Sequence, residues 1–261
     1  MTTGKLQGPK LEGPKLEGKV AIVTGAALGM GNAVARRFTA EGANVVVADI
    51  REAEGKALAD ELGPSAVFAA HDVSDEASWR AVVDTATATF GGVDVLINNA
   101  GIWRTAPLVE QTAAGFDEIV GVNLRGVFLG MRAVAQPMRE RGGGAIVNTS
   151  STAGLVGLAN MVAYGASKWG VRGVSKVAAL ELGPWGIRVN SIHPGGVDTP
   201  MTAELGFRGP GVAAPVPLGR YGTPDDIASL HLFLVSDEAS WITGAEIYID
   251  GGSMAGPRPA R

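Results

Sequence analysis

Cysteine is absent from the 261-residue chain, which excludes disulfide bonds, thiolate catalysis and cysteine metal sites. Histidine is scarce, with three residues at His71, His193 and His231. They form no His-x-x-x-His pair, and Gly-x-Ser-x-Gly does not occur, so the signatures of metalloproteases and serine hydrolases are missing. We therefore expect no metal site.

Long runs of one residue class are lacking as well. No stretch is apolar for long enough to cross a bilayer, and the first residues lack the apolar core of a signal peptide. Lysine and arginine form no run and the net charge is −4, which disfavours binding to the phosphates of nucleic acid. We expect a cytoplasmic protein that binds neither membranes nor nucleic acid.

What is present suits a well-buried globular enzyme. Hydrophobic residues make up 46% of the chain and charged residues 18%, and the length fits one α/β domain with a large core. Residues 8–18 read Gly-Pro-Lys-Leu-Glu twice and then Gly, without hydrophobic periodicity. We predict a flexible N-terminal tail over residues 1–18, a single domain over 19–254 and a C-terminal tail over 255–261; a specific docking arm is the alternative for the repeat.

Short apolar segments alternate with amphipathic ones between these ends. The expected strands are 20–24, 45–49, 67–70, 95–98, 145–149, 189–193 and 246–249. The expected helices are 30–41, 52–62, 77–90, 116–138, 164–182 and 224–235. The strands are rich in valine and isoleucine throughout, as expected when both faces of a sheet are covered. This predicts an α/β fold with a doubly wound parallel sheet. Small and apolar residues cover much of the two longest helices, which favours an oligomer.

A glycine-rich turn follows the first strand. It reads Thr24-Gly25-Ala26-Ala27-Leu28-Gly29-Met30-Gly31, and a helix begins at once. Glycines allow a sharp turn and a close approach of pyrophosphate, while the helix N-terminus offers free N–H groups. The spacing Gly-x-x-x-Gly-x-Gly is a weak signal among 38 glycines, but its place between strand and helix predicts a dinucleotide site.

Asp49 ends the second strand, eighteen residues after Gly31. A carboxylate there accepts hydrogen bonds from ribose hydroxyls and repels a 2′-phosphate, so it favours NAD over NADP. Arg51 is the residue that could reach a phosphate instead. After the third strand, Asp72 could bind the adenine amino group and Val73 could cover the ring; an N-cap is the alternative role for Asp72.

Tyr164 and Lys168 stand four residues apart on a predicted helix, with Ser151 thirteen residues upstream. A phenol is a poor base at neutral pH, but an ammonium group on the same helix face favours the phenolate and lowers its pKa. This pair is therefore a candidate proton-transfer group for an alcohol or a ketone.

The motif set resembles the single-domain short-chain dehydrogenase/reductase family. The matching residues are the glycine turn, Asn98-Asn99-Ala100-Gly101, Asn123, Ser151, Tyr164-x-x-x-Lys168 and Pro194-Gly195. The resemblance implies a Rossmann-like three-layer sandwich with a seven-stranded parallel sheet, NAD(H) as cofactor and often a homotetramer. Two features depart from it. The N-terminal repeat has no counterpart, and Leu28 stands where a related member has a basic residue, which further weakens the case for NADP.

The resemblance also implies roles for individual residues. Tyr164 would be the acid/base, Lys168 would lower its pKa and hold the nicotinamide ribose, Ser151 would bind the substrate oxygen, and Asn123 would kink its helix and hold a water that relays protons. The implied cofactor-binding set is Gly25, Leu28, Gly29, Met30, Gly31, Asp49, Ile50, Asp72, Val73, Asn99, Ala100, Gly101, Tyr164, Lys168, Pro194, Gly195, Val197 and Thr199.

The substrate is less defined by the sequence. Expected pocket walls are Trp103, Ala153, Gly154, Val156, Met161 and a glycine-rich segment, 201–218, that resembles a mobile lid. Few charges occur there, so an apolar alcohol fits better than a phosphorylated one. Steroids, other cyclic alcohols and hydrophobic secondary alcohols stay open, and the alternatives are a 3-oxoacyl thioester reductase or a catalytically silent NAD-binding sensor.

Overall fold

A seven-stranded parallel sheet carries the fold. The computed structural model describes residues 13–204 and 216–256. Its strands are β1 Val20–Thr24, β2 Asn44–Asp49, β3 Ala66–Ala70, β4 Val95–Asn98, β5 Gly144–Thr149, β6 Ile187–Pro194 and β7 Glu246–Ile249. They lie in the order β3-β2-β1-β4-β5-β6-β7, and every neighbouring pair is parallel. All predicted strands are present, with ends within two residues of the expected ones.

Helices connect the strands. They are α1 Gly29–Ala40, α2 Glu52–Leu62, α3 Glu76–Phe90, α4 Ala113–Val120, α5 Gly126–Glu140, α6 Val162–Leu182, α7 Pro200–Glu204 and α8 Pro224–Val235. The short helix α7 was not predicted. The prediction of a single helix over 116–138 was wrong. This part of the chain consists of α4, a π-helical turn Gly121–Arg125, and α5.

The two faces of the sheet have separate cores. In β1, Ala21 and Val23 lie in the cluster with α1, α2 and α8, whereas Val20 and Ile22 lie in the cluster with α3, α5 and α6. Because successive side chains of a strand point to opposite faces, both sets must be apolar. The result is the predicted three-layer sandwich, and the C-terminal ends of β1 and β4 meet where the strand order reverses. Ligands bind at such a position in open α/β sheets.

The end of the predicted N-terminal tail packs on the domain. Leu16 is 1% exposed and belongs to the core cluster of α1 and α8. Its N–H donates to the carbonyl of Glu41 (2.9 Å), and the ammonium of Lys15 pairs with Glu238 (2.6 Å). The tail boundary at residue 18 is therefore corrected, because an apolar side chain of the second repeat unit is buried. Residues 1–12 and 257–261 lie outside the described residues.

We expect Leu16→Ala to destabilise the protein by about 2–5 kcal/mol, because it removes a buried side chain and leaves a cavity. Urea unfolding measures the change. Leu108→Ala is the control, since Leu108 is 72% exposed and its truncation should cost less than about 0.5 kcal/mol. Equal stability of the Leu16 variant and the wild type would contradict the docking of this segment.

Candidate active site

The glycine turn between β1 and α1 has no space for a side chain at Gly25 or at Gly31. Gly25 (φ +63°) and Gly29 (φ +58°) adopt a left-handed backbone, and a Cβ on Gly31 would lie 2.2 Å from the Gly25 carbonyl oxygen. Helix α1 begins there, and its N-cap Leu28 makes no side-chain hydrogen bond. The turn therefore presents backbone N–H groups at a helix N-terminus, which is a suitable place for a phosphate.

Asp49 fixes this turn from β2. One carboxylate oxygen accepts the N–H of Ala27 and the other that of Arg51, both at 2.9 Å. Asp49 is buried, while the neighbouring Ile50 is 72% exposed at the same sheet edge. Each Asp49 oxygen keeps a second acceptor position, so the carboxylate can hold the turn and still accept a hydroxyl.

The loops after β1 and β4 are bonded together. The Thr24 hydroxyl accepts the N–H groups of Asn99 (3.0 Å) and Ala100 (3.1 Å). The Asn99 amide donates to the carbonyls of Thr24 (3.0 Å) and Gly25 (3.2 Å). In the next layer Asn98 donates to Asn148 of β5 at 2.8 Å. The amides of Asn98 and Asn99 therefore link neighbouring strands.

The structure excludes one of the two roles considered for Asp72, and the adenine-binding role stays a prediction. Helix α3 is capped by Asp75, whose carboxylate accepts the N–H groups of Ala77 and Ser78, so Asp72 is not the N-cap. The Asp72 carboxylate instead accepts from the N–H (2.8 Å) and hydroxyl (2.7 Å) of Ser74. Val73 is buried in a core cluster, so its side chain packs within the protein.

Ser151, Tyr164 and Lys168 come together as the sequence predicts. Tyr164 and Lys168 lie one turn apart on α6, and the Lys168 ammonium is 5.6 Å from the centre of the Tyr164 ring. Ser151 follows β5 and its hydroxyl accepts the N–H of Ala153 at 3.1 Å. Lys168 is buried, and its ammonium donates to the Thr149 carbonyl at 2.8 Å.

Burial dominates the electrostatics of this group. It lowers the pKa of Lys168 from 10.5 to about 8. It also raises the pKa of Tyr164, because a phenolate is disfavoured away from water, while a hydrogen bond with Ser151 acts in the opposite direction. Burial outweighs the Ser151 bond, so the pKa of Tyr164 is raised, and the ammonium of Lys168 bonds to Thr149. The lowering of the Tyr164 pKa by Lys168 stays a prediction.

A buried charge without a carboxylate partner costs stability, so we expect Lys168→Met to stabilise the fold while removing activity. The gain should be about 1–3 kcal/mol below pH 8, the range implied by the lowered pKa less one lost hydrogen bond. It should vanish as the pH rises from about 8 to 10.5, because deprotonating the buried amine then costs progressively less.

Urea unfolding at several pH values measures this effect. Lys19→Met, at an exposed position, is the control and should change stability by less than about 0.5 kcal/mol at any pH. A Lys168 variant that is less stable than the wild type at pH 7 would show that the ammonium is well compensated.

Asn123 sits in the π-helical turn, and the family resemblance implies a kink at this residue. It is fully buried. Its amide oxygen accepts the N–H of Ile102 (2.8 Å) and its amide nitrogen donates to the carbonyl of Ile102 (2.9 Å). A π-helical turn has one extra residue, which turns this side chain towards the loop after β4. Asn123 therefore joins that loop to the helices carrying the site.

The segment after β6 closes the other side of the glycine turn. The Gly195 N–H donates to the Ile249 carbonyl at 3.0 Å, and Val197 is buried. A Cβ on Gly29 would lie 3.5 Å from Thr199, so this segment rests on the turn. The hydroxyl of Thr199 lies 3.2 Å from that of Thr202, which the sequence did not single out.

Of the expected pocket walls, Trp103 contacts Tyr164 directly. The Trp103 ring stacks on the Tyr164 ring with centres 5.2 Å apart and planes 23° apart. Ala153 and Gly154 are buried and Val156 is 40% exposed. The loop of Trp103 is joined to that of Met161 by a bridge at Ala106. The predicted lid falls largely on residues 205–215, outside the described ranges.

Sequence reasoning missed the supports of Ser151. These are Ser150, whose hydroxyl donates to the Lys168 carbonyl (2.9 Å), Arg172, which donates to the Gly154 carbonyl (2.8 Å), and His193, whose Nδ1 is 3.3 Å from the Ser151 carbonyl oxygen. All three contacts are to backbone carbonyls, which any sequence supplies. These contacts therefore cannot be predicted from a residue pattern.

Within residues 13–204 and 216–256, no helix is long and apolar enough to cross a membrane, and no three His, Cys, Asp or Glu side chains cluster as metal ligands would. The fold and the glycine turn define a dinucleotide-binding α/β protein. Residues 25–254 match the family model described as enoyl-(acyl carrier protein) reductase.

Curated relatives and solved structures agree with this assignment. A 3-alpha-(or 20-beta)-hydroxysteroid dehydrogenase of Mycobacterium tuberculosis is 49% identical over 91% of this chain and 90% of its own length. A trans-4-hydroxycyclohexanecarboxylate dehydrogenase of Sinomonas cyclohexanicum is 48% identical over 91% and 93%. A short-chain type dehydrogenase/reductase from Mycobacterium marinum superposes with a TM-score of 0.88 at 34% identity, over 93% and 98%.

The chain therefore belongs to the short-chain dehydrogenase/reductase family. It is an oxidoreductase that interconverts alcohols and ketones, and members of this family with a Rossmann fold use a nicotinamide cofactor.

Proposed function

We propose that this protein is an NAD(H)-dependent dehydrogenase of secondary alcohols on hydrophobic, cyclic substrates such as hydroxysteroids. The observation that carries the proposal is the group of Ser151, Tyr164 and Lys168. It lies at the carboxyl ends of the strands, as the glycine turn does. The relatives named above are dehydrogenases of cyclic compounds, as is a cyclopentanol dehydrogenase of Comamonas sp., 43% identical over 91% of this chain and 97% of its own length.

The glycine turn fits a dinucleotide. The backbone at Gly31 lies so close to the Gly25 carbonyl that residue 31 has no space for a side chain. The first N–H groups of helix α1 are not capped by a side chain at Leu28. The oxygen of the Asn99 amide is buried without a partner among the described residues, so an acceptor remains available there. The turn would hold the pyrophosphate, Asp49 the adenosine ribose, and Lys168 the nicotinamide ribose. The bound cofactor supplies the hydride acceptor or donor.

The carboxylate of Asp49 supports NAD rather than NADP. It is fixed by the N–H groups of Ala27 and Arg51, so it cannot easily turn away from a 2′-phosphate that it would repel. Titration of protein fluorescence with NADH and NADPH tests this choice. We expect NADH to bind more tightly, and tighter NADPH binding would mean that Arg51 decides instead.

The protein's own residues handle the proton. The Ser151 hydroxyl accepts the Ala153 N–H and bonds to Tyr164; when the substrate oxygen binds, the hydroxyl would donate to that oxygen and stabilise charge that develops there. Tyr164 takes the hydroxyl proton in oxidation and returns it in reduction. Its pKa is raised by burial, so the nearby Lys168 charge matters most as the phenolate forms. We keep the proton relay through Asn123 as a prediction.

A panel of alcohols followed by NADH absorbance tests the proposed function. It should contain hydroxysteroids, cyclohexanol, cyclopentanol and an acyclic secondary alcohol of equal carbon number. We expect higher kcat/KM for the cyclic members, because Trp103 offers a flat apolar wall beside Tyr164. Turnover of none of them would overturn the proposal.

Two alternatives are tested in the same assay. Reduction of a 3-oxoacyl or enoyl thioester with a higher kcat/KM than any ketone would favour a thioester reductase, the class named in the family model's description. Binding of NADH without any turnover would favour a silent sensor. Against the sensor, Ser151, Tyr164 and Lys168 are all present and close together.

We also propose a homotetramer. Helices α5 and α6 expose large apolar side chains, and so does the end of the chain near β7. These are Phe128 (48% exposed), Trp169 (49%), Val177 (54%), Leu180 (80%), Tyr248 (52%) and Trp241 (99%). If they form a continuous surface in space, such side chains would be covered by further subunits. Light scattering after gel filtration tests the mass. The expected cytoplasmic location stays a prediction.

A further inference from the structure

A histidine outside the predicted site contacts the backbone of its serine. His193 is completely buried near the end of β6. Its Nδ1 lies 3.3 Å from the carbonyl oxygen of Ser151, and its Nε2 lies 3.2 Å from the hydroxyl oxygen of Ser191. The ring also meets the Tyr248 ring edge to face, with centres 5.5 Å apart. The imidazole is therefore held on both sides.

These contacts fix the tautomer of the ring. A carbonyl oxygen only accepts hydrogen bonds, so Nδ1 must carry the hydrogen and donate it to Ser151. Nε2 is then an acceptor, and the Ser191 hydroxyl donates to it. Burial lowers the pKa of His193, so the ring is neutral at neutral pH. The imidazole thus acts as a fixed single donor to the Ser151 peptide.

The bond acts on a short turn that determines where the Ser151 hydroxyl points. The Ser151 carbonyl also accepts the N–H of Gly154 at 2.9 Å, and the Ser151 hydroxyl accepts the N–H of Ala153 at 3.1 Å. Residues Thr152–Gly154 form one turn of 3₁₀-helix between these bonds. The carbonyl and the hydroxyl of Ser151 are therefore held by the same turn, so that a displacement of this turn would also shift the hydroxyl.

A second side chain holds the far end of the turn. Arg172, one turn after Lys168 on α6, donates to the Gly154 carbonyl at 2.8 Å. Its guanidinium is oriented by Glu246 of β7 through bonds of 3.2 and 2.9 Å. The turn is thus supported from α6 and from β6. His193 is the support that touches Ser151 itself.

We propose that His193 is a positioning residue, which fixes the Ser151 peptide through Nδ1–H and so keeps the Ser151 hydroxyl in place for the substrate oxygen. The inference rests on the proposed dehydrogenase function for its kinetic consequence. It does not require a particular substrate. Because hydrogen-bond catalysis depends on placement, loss of this donor should lower kcat about 10-fold to 100-fold and leave cofactor affinity unchanged.

Two variants of similar polarity separate positioning from packing. The amide nitrogen of asparagine reaches the place of Nδ1, whereas that of glutamine reaches the place of Nε2. We expect His193→Asn to keep kcat within about 3-fold of the wild type and His193→Gln to lose about 10-fold or more. In both variants the affinity for NADH, measured by fluorescence, should stay within about 2-fold, because β6 contacts Ser151 here and not the glycine turn.

His231 offers a matched control. It is also fully buried, and its Nδ1 lies 3.0 Å from a backbone carbonyl, that of Ile227 on α8. His231→Asn and His231→Gln should lower the Tm and leave kcat unchanged. Equal kcat in His193→Asn and His193→Gln, whether high or low, would overturn the proposal.

Hydrogen–deuterium exchange of residues 150–156 gives a readout that needs no activity. We expect faster exchange there in His193→Gln but not in His193→Asn or in either His231 variant. The same exchange in all four variants would overturn the positioning role. If the wild type turned over no alcohol, the proposed function would fail, and the exchange result alone would decide the role of His193.

Discussion

Tyr164→Phe is expected to reduce turnover by about 10²-fold to 10⁴-fold, the usual contribution of a positioned acid or base. The substitution removes one oxygen and keeps the ring, so the stack with Trp103 and the packing beside Lys168 are retained. Affinity for NADH should therefore be unchanged. Initial rates of NADH formation and a fluorescence titration measure the two effects.

Tyr248→Phe is the control for this experiment. It removes the same atom from a ring that is 52% exposed on β7, and it should leave kcat unchanged. A Tyr164 variant as active as the wild type would defeat the proposed mechanism. A variant that loses turnover only because it no longer binds NADH would assign Tyr164 to the cofactor instead.

Gly31→Ala is expected to have the second large effect. The new Cβ would lie 2.2 Å from the Gly25 carbonyl oxygen and 2.7 Å from the amide nitrogen of Asn99. Neither neighbour can move freely, because the Asn99 amide bonds to both Thr24 and Gly25. We expect a fall of about 100-fold or more in NADH affinity and a loss of about 1–3 kcal/mol of stability from overpacking.

Gly183→Ala is the matched control. Nothing lies within 4 Å of a Cβ at this position, and the backbone is helical (φ −53°), so the substitution should be neutral or slightly stabilising. NADH titration and thermal unfolding of both variants are the measurements. Unchanged NADH affinity in Gly31→Ala would show that the cofactor does not bind at this turn.

The sheet could be predicted because its strands are simple in composition. In β1 and β2, four adjacent apolar residues pack into two cores at once, and in β5 three do, so continuous apolar runs mark strands. The π-helical turn around Asn123 could not be predicted. One extra residue per turn leaves hydrophobic periodicity almost unchanged, so the segment read as one helix.

The site could be predicted where the contacts follow spacing along one element, as with Tyr164 and Lys168 on α6. The direction of the Tyr164 pKa could not, because it depends on how deeply the ring is buried. Leu16 was missed for a related reason. The repeat has no hydrophobic periodicity, yet Leu16 in its second copy lies close to β1 and is buried in the core. His193 acts on a carbonyl, which no motif records.

The bracing of the glycine turn has a consequence for how a dinucleotide enters and leaves. Asp49 holds one side of the turn, and Thr24 and Asn99 hold the other, so this wall stays rigid during turnover. On the opposite wall, residues 195–198 are bonded to Ile249 and Gly222, whereas Thr199 bonds to Thr202, a near neighbour in the chain. We therefore expect the residues around Thr199 to carry more of any opening of the cleft than the braced glycine turn.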